Sequence, residues 1–248
     1  MKTLVALTLA AASMAASANV VTFDGNQMNL VGASSTVGTS IQLVSKGANA
    51  GAAWLTTPVS TVESFDVNFA FSLRSEGGGL MADGISFALQ DKGTNVLGYA
   101  GGNVGYTHLN AVGSIIQTYY NNTAGLNIDG NAYNTKSANL NLGGASLVTG
   151  TEVVTYDAMT HMLHMTGTLN VDGSLHNISD SKVINLEAKF GDTVFMGFTG
   201  ATGDNYADER ITSFSVQSTP AVPEPETYAM LLTGLASMGF VARRRKSL

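Results

Sequence analysis

An all-β sandwich of one domain is the fold the sequence predicts, on three grounds. Apolar residues alternate with polar ones in runs of strand length, glycine-rich and Asp-Gly turns separate the runs, and no amphipathic helix stands out between Asn19 and Pro220. The longest run sets Phe65, Val67, Phe69, Phe71 and Leu73 against Ser64, Asp66, Asn68, Ala70 and Ser72. Such period-2 patterning puts one apolar face on a core and one polar face in solvent. Ile85, Phe87 and Leu89 repeat the pattern, followed by Leu163, Met165 and Leu169, then Val194, Met196 and Phe198, and finally Phe214 and Val216. Turns are marked by Gly77-Gly78-Gly79, Asp129-Gly130, Gly143-Gly144 and Asp172-Gly173, residue types that reach backbone conformations other side chains avoid. Many short strands at this spacing suit a sandwich or jelly roll. No internal repeat or long linker divides the body.

The two ends read as signals and not as fold. Lys2, the apolar run Leu4 to Ala12 and the small residues Ala16-Ser17-Ala18 follow the order of a secretory signal peptide. Residues 1–18 are therefore expected to be removed, leaving a body of residues 19–219 that starts at Asn19. Residues 220–248 hold Pro223-Glu224-Pro225, an apolar run from Tyr228 to Ala242 and the basic end Arg243-Arg244-Arg245-Lys246. As a transmembrane helix that run of about 15 residues reaches about 22 Å, short of a hydrocarbon core about 30 Å thick. Its basic end would stay cytoplasmic. Together these parts resemble the PEP-CTERM sorting signal of Gram-negative bacteria, which implies an exosortase-type processing enzyme acting at or near Pro223, Glu224 and Pro225. The chain is then expected to be exported, transiently anchored in the inner membrane, and delivered to the cell surface or beyond. A permanent single-pass anchor is the alternative.

Cysteine is absent, which excludes disulfides and thiol chemistry. Of 12 basic and 18 acidic residues, Lys2, the four basic end residues, Glu224 and Glu226 belong to the two signals, so the body keeps 7 against 16, a net charge of −9. That balance repels phosphate backbones and anionic membranes, so no nucleic-acid partner is expected and membrane contact only through the tail. The abundance of Gly, Ser, Thr and Asn leaves a neutral, hydrogen-bonding surface.

The segment Met81-Ala82-Asp83-Gly84-Ile85-Ser86-Phe87 sets a carboxylate at the mouth of an apolar strand, beside a glycine that admits a close approach. A carboxylate can accept from two neighbouring hydroxyls in charge-assisted bonds, although Asp-Gly before a strand is by itself an ordinary turn. Further stretches fall in order around it. Ala53-Trp54 and Ser64 to Phe69 precede it; Gly101-Gly102-Asn103-Val104-Gly105 and Val112 to Asn121 follow. Val154-Thr155-Tyr156-Asp157 to Leu163 comes next, then Gly197-Phe198-Thr199-Gly200-Ala201-Thr202-Gly203 and Ile211 to Phe214. In this order, from about Thr22 to Gln217, the stretches resemble the legume-type (L-type) lectins. The resemblance implies a legume-lectin, concanavalin-like jelly roll that binds carbohydrate.

Carried over position by position, the resemblance implies a shallow sugar site on four loops. Asp83 would accept from two hydroxyls behind a cis peptide to Ala82, Gly102 would donate its N–H, and Asn121 its side-chain amide. Tyr119 would offer a ring face to the sugar. Asp204 and Asn205 would lie on the loop that tunes which sugar fits. The metal strand departs from the pattern. Where the family reads Glu-Phe-Asp-x-aromatic-x-Asn to hold Ca²⁺ and a transition-metal ion, this chain has Ile115 for Glu and Gln117 for Asp, and keeps Asn121. Gly125 stands near the family's His. Hard cations want several oxygens with carboxylates among them. The transition-metal site is thus expected to be lost, and Ca²⁺ is left with Gln117, Asn121 and main-chain carbonyls, a weakened site. His161 and His164, three apart, would face opposite sides of a strand and make a poor metal pair.

Three functions follow for comparison. The first is an exported carbohydrate-binding protein associated with exopolysaccharide or a biofilm matrix, supported by Asp83, Gly102 and Asn121. The second is a non-catalytic surface, matrix or adhesion protein with a vestigial sugar site, supported by the eroded metal strand. A glycoside hydrolase, the third, would need two carboxylates about 5 Å apart. Glu63 and Asp66 differ by three positions and Glu152 and Asp157 by five, which fits no strand face, and Asp204, Asp208 and Glu209 read as a loop. The favoured reading is therefore non-enzymatic. Legume-type lectins often pair through sheet edges, so a homo-oligomer stays open.

Overall fold

The structure, a computed structural model, describes residues 19–22, 27–119, 122–219 and 233. The expected signal peptide, Asn121, and the tail with Pro223, Glu224 and Pro225 lie outside the described residues. Among the described residues no helix is long and apolar enough to cross a membrane.

Strands, numbered in chain order, dominate. The first six are β1 (Asn19–Thr22), β2 (Met28–Gly32), β3 (Ser35–Val37), β4 (Ser40–Val44), β5 (Ala50–Leu55) and β6 (Val59–Ser60). The middle of the chain forms β7 (Ser64–Glu76), β8 (Gly84–Gln90), β9 (Val112–Gln117) and β10 (Thr123–Asn127). The last five are β11 (Leu147–Asp157), β12 (Met162–Val171), β13 (Ser174–Val183), β14 (Thr193–Ala201) and β15 (Tyr206–Thr219). They build two sheets of one domain. The eight-stranded sheet runs β13-β12-β11-β7-β15-β4-β3, with β1 added to β15. The seven-stranded sheet runs β10-β9-β8-β14-β5-β2, with β6 on β14. The expected sandwich is therefore the one observed.

Alternation explains the eight-stranded sheet. Phe65, Val67, Phe69, Phe71 and Leu73 of β7 are all buried while Asp66 and Asn68 are exposed. Their rings meet those of the facing sheet: Phe198 of β14 lies 5.1 Å from Phe69 and 5.1 Å from Phe214, both edge-on, and 5.8 Å from Phe87. Offset and edge-to-face rings are the favoured arrangements. In β15 a register shift between Ile211 and Ser213 carries the alternation from Ala207, Glu209 and Ile211 to Phe214 and Val216. Thus Glu209 faces the interior.

The seven-stranded sheet behaves differently, because both its faces are covered. Every residue of β8 and of β9 is buried. A second apolar cluster of Trp54, Ala88, Tyr106, Leu109 and Ile115 fills its outer face beneath the crossing segment 91–111. Trp54 Nε1 donates to the Val96 carbonyl at 2.9 Å, and the Tyr106 hydroxyl to the Ala111 carbonyl at 2.8 Å, so neither polar handle is left unsatisfied. One short helix, α1 (Leu186–Phe190), interrupts the strands, capped by Asn185, whose side chain accepts from Ala188 N at 2.9 Å.

Candidate functional site

At one end of the seven-stranded sheet, the register puts Gly84 opposite both Gln117 and Ala201, and Gln117 opposite Thr123. The loops leaving these positions therefore converge. Asp83 stands at their centre. Its peptide bond to Ala82 is cis. Asp83 N–H donates to the Ala201 carbonyl at 2.9 Å, and its own carbonyl accepts from Thr118 N at 2.9 Å. Thr118 Oγ1 donates to the Met81 carbonyl at 3.1 Å, and Gly101 N to the Thr202 carbonyl at 3.2 Å. A fifth segment braces the cluster from the side, since Met81 N donates to Gly143 O at 2.8 Å while Gly143 N donates to Asn122 Oδ1 at 3.0 Å.

Two glycines leave room for the carboxylate. A methyl group on Gly203 would sit 3.2 Å from Asp83 Oδ2, and one on Gly101 3.9 Å from it. That oxygen is buried and has no hydrogen-bond partner among the described residues. Desolvation pushes the Asp83 carboxyl up to about 6. Beneath it lies a second acid: Glu209, fully buried, whose Oε1 accepts from Gly84 N at 2.8 Å. Burial raises Glu209 well above the carboxylate range, and the nearby Asp83 charge adds to the effect. The arrangement presents a desolvated acceptor flanked by backbone, suited to neutral hydroxyl donors.

Of the residues expected to form a site, Asp83, Gly102, Asp204 and Asn205 lie on these converging segments, and Gln117 ends β9 beside them. Tyr119, half-buried, follows directly on Thr118. Asp204 is exposed, whereas the Asn205 side chain packs on Gly79. Two expectations outside that set need correction. Asp208 and Glu209 belong to β15 and not to a loop. His161 sits in the turn before β12, with its ring at 3.3 Å from the Tyr156 hydroxyl, because a hairpin reverses the chain there.

Sequence reasoning missed two neighbours. Glu209 shares the alternation of Ala207 and Ile211, and that phase is the signal that could have placed it inside. Tyr133 is 43% exposed and its hydroxyl lies 2.7 Å from where a methyl on Gly102 would stand. It rides on a short 3₁₀ turn, Ala132–Asn134, held by Asn131, which accepts from Tyr133 N. No periodic pattern marks that turn.

The donor set does not fit the metal pair implied by the resemblance. Ile115, where an acid would be needed, is fully buried in the outer apolar cluster. Gln117 turns its amide nitrogen onto the Gly102 carbonyl. Asn127 is spent on its own turn, accepting from Gly130 N at 3.0 Å and donating to Asn131 O at 2.8 Å. Among the described residues no group of three or more His, Cys, Asp or Glu could hold a metal ion.

Comparison with known proteins places these features. Residues 15–230 match the family model of the legume lectin domain, and residues 221–246 match that of the PEP-CTERM protein-sorting motif. A Robinia pseudoacacia protein described as a bark agglutinin is 29% identical over 176 residues, which cover 62% of this chain and 61% of that one, less than two thirds of its length. Among solved structures, peanut lectin with a nine-residue peptide superposes with a TM-score of 0.68 at 23% identity, covering 84% of this chain and 100% of its own. A Lotus tetragonolobus seed lectin gives 0.70 at 21% identity, covering 82% and 100%.

Proposed function

We propose, from the premise that this chain belongs to the legume lectin domain family, that it is a non-catalytic protein binding neutral carbohydrate at the loops around Asp83. The observation that carries the reading is the Asp83 carboxylate: its Oδ2 is buried, without a partner among the described residues, and next to both Gly101 and Gly203. A buried acceptor left unmade costs about 1–3 kcal/mol, which ligand hydroxyls would recover as charge-assisted bonds. Gly102 N–H and the Asn121 amide donate to the same sugar, and Tyr119 supplies a ring face, with Tyr133 beside Gly102 as a further one. Asp204 and Asn205 shape the outer rim. No cation stands against Asp83 among the described ion pairs, so the site suits uncharged sugars better than uronates.

The sorting motif at residues 221–246 supports export and processing by an exosortase-type enzyme, after which the domain acts at the cell surface or in an exopolysaccharide matrix. A second reading, a matrix or adhesion scaffold with a vestigial site, draws on Ile115 and Gln117 in place of acids. An array of neutral and anionic glycans separates the two. Binding to a neutral glycan that disappears in Asp83→Ala supports the first; binding to no glycan at all leaves the scaffold.

A further inference from the structure

The mismatch between the family's metal strand and this chain is answered by side chains around the end of β9. Gln117 is wholly buried at the end of β9, and its carboxamide nitrogen meets the Gly102 carbonyl. A carbonyl can only accept, so the amide must present its N–H₂ there. This bond crosses from the sheet to the loop that carries Gly101 and Gly102, the place where an ion-bound acid would otherwise act. Two more ties fix the opposite side: Glu209 holds Gly84 N, and Thr118 Oγ1 holds the Met81 carbonyl. What remains for a cation is small. Among the described residues the unpartnered buried side-chain oxygens around this end are Gln117 Oε1 and Asp83 Oδ2, with Glu209 Oε2, Thr123 Oγ1 and Thr135 Oγ1 on the flanks. Calcium takes six to eight oxygens, several of them charged. Of the two buried carboxylates here, Glu209 already spends Oε1 on Gly84 N, which leaves Asp83 as the one facing the loops.

We propose that the binding loops are fixed by the Gln117 carboxamide on the Gly102 carbonyl and not by a divalent cation, so that this chain binds its sugar without calcium or a transition metal. Only the last clause rests on the sugar-binding reading; the ordering of the loop does not. Gln117 is accordingly a positioning residue: it touches the loop and not the sugar.

Amide hydrogen exchange on the full chain tests the tie directly, with EDTA, calcium or manganese as the probe. The amides of residues 100–104 should be equally protected in EDTA and in calcium at about 1 mM, a level that fills weak extracellular sites. Gln117→Met, close in shape but without a donor, should exchange there about tenfold faster, the loss of one hydrogen bond, while the β7 amides stay as they are and neither ion restores protection. Slower exchange of the wild-type loop on adding either ion would overturn the proposal, as would unchanged exchange in Gln117→Met. The thermal midpoint of the wild type gives a second measurement that needs no variant. It should be the same in EDTA and with either ion, whereas a rise would reveal a cation bound to the folded state. Failure to bind any glycan would sink the sugar-binding reading and leave the exchange result to decide the tie.

Discussion

Replacing Glu152 with Gln should make the protein's stability less sensitive to pH, by an amount that its surroundings set. Glu152 occupies an inward position of β11, in phase with Val148, Val154 and Tyr156, and is 1% exposed. Its Oε2 accepts from Ser114 Oγ of β9 at 2.7 Å, a polar bridge between the two sheets, and Oε1 has no partner among the described residues. Desolvation raises the carboxyl from 4.5 to about 7, against a smaller lowering by the Ser114 bond. The folded state therefore holds a proton that the unfolded chain gives up. Below pH 4.5 both are protonated and the group is neutral in the balance. Between 4.5 and about 7 stability falls by about 1.4 kcal/mol per pH unit, about 3 kcal/mol in all, and above 7 the loss is complete. Gln has the same shape and no such loss. Urea melts of both proteins from about pH 4 to about pH 8.5 should show the Gln variant gaining about 3 kcal/mol on the wild type across that range. Other titrating groups are common to both and cancel. A difference that stays constant with pH would refute the argument that Glu152 is folded in as the neutral acid.

Other consequences are as direct. Sugar affinity should follow ionised Asp83, so with its carboxyl near 6 the dissociation constant should be about tenfold larger at pH 5 than at pH 7.5, read by calorimetry; an affinity that rises on acidification would contradict it. Gly102→Ala puts a methyl 2.7 Å from the Tyr133 hydroxyl and 3.2 Å from its ring, at a φ that any residue tolerates. It should weaken sugar binding by about tenfold or more, about 1.4 kcal/mol, with an unchanged melting temperature. Phe198→Ala removes the ring shared by Phe69, Phe87 and Phe214 and should cost about 3–5 kcal/mol in a urea melt; a loss below about 1 kcal/mol would mean the sheets do not meet there.

What the chain discloses by itself depends on how a residue's role is encoded. Strands with one solvated face, such as β7, announce themselves by alternation, and Asp83 stood out because an ordered series of weak motifs surrounds it. Strands covered on both faces do not alternate in burial: β8 is buried at Ser86 and Ala88 as fully as at Phe87, because the segment 91–111, which has no period of its own, folds over it. Glu209 and Glu152 look like ordinary surface acids in composition. Only their phase along β15 and β11 reveals them as interior, and the register shift near Ser213 hides that phase in β15. Tyr133 and Gln117 act through loop geometry, which depends on contacts far apart in the chain: 15 positions separate Gln117 from Gly102.

Whether Asp83 is the acceptor of a carbohydrate site is decided by calorimetric titration of an array-selected neutral glycan into three proteins: wild type, Asp83→Asn and Glu152→Gln. Asp83→Asn should weaken binding by about a hundredfold, about 2.7 kcal/mol and within the range for hydrogen bonds to a charged group, while Glu152→Gln should bind as the wild type does. Equal affinity in wild type and Asp83→Asn would contradict it.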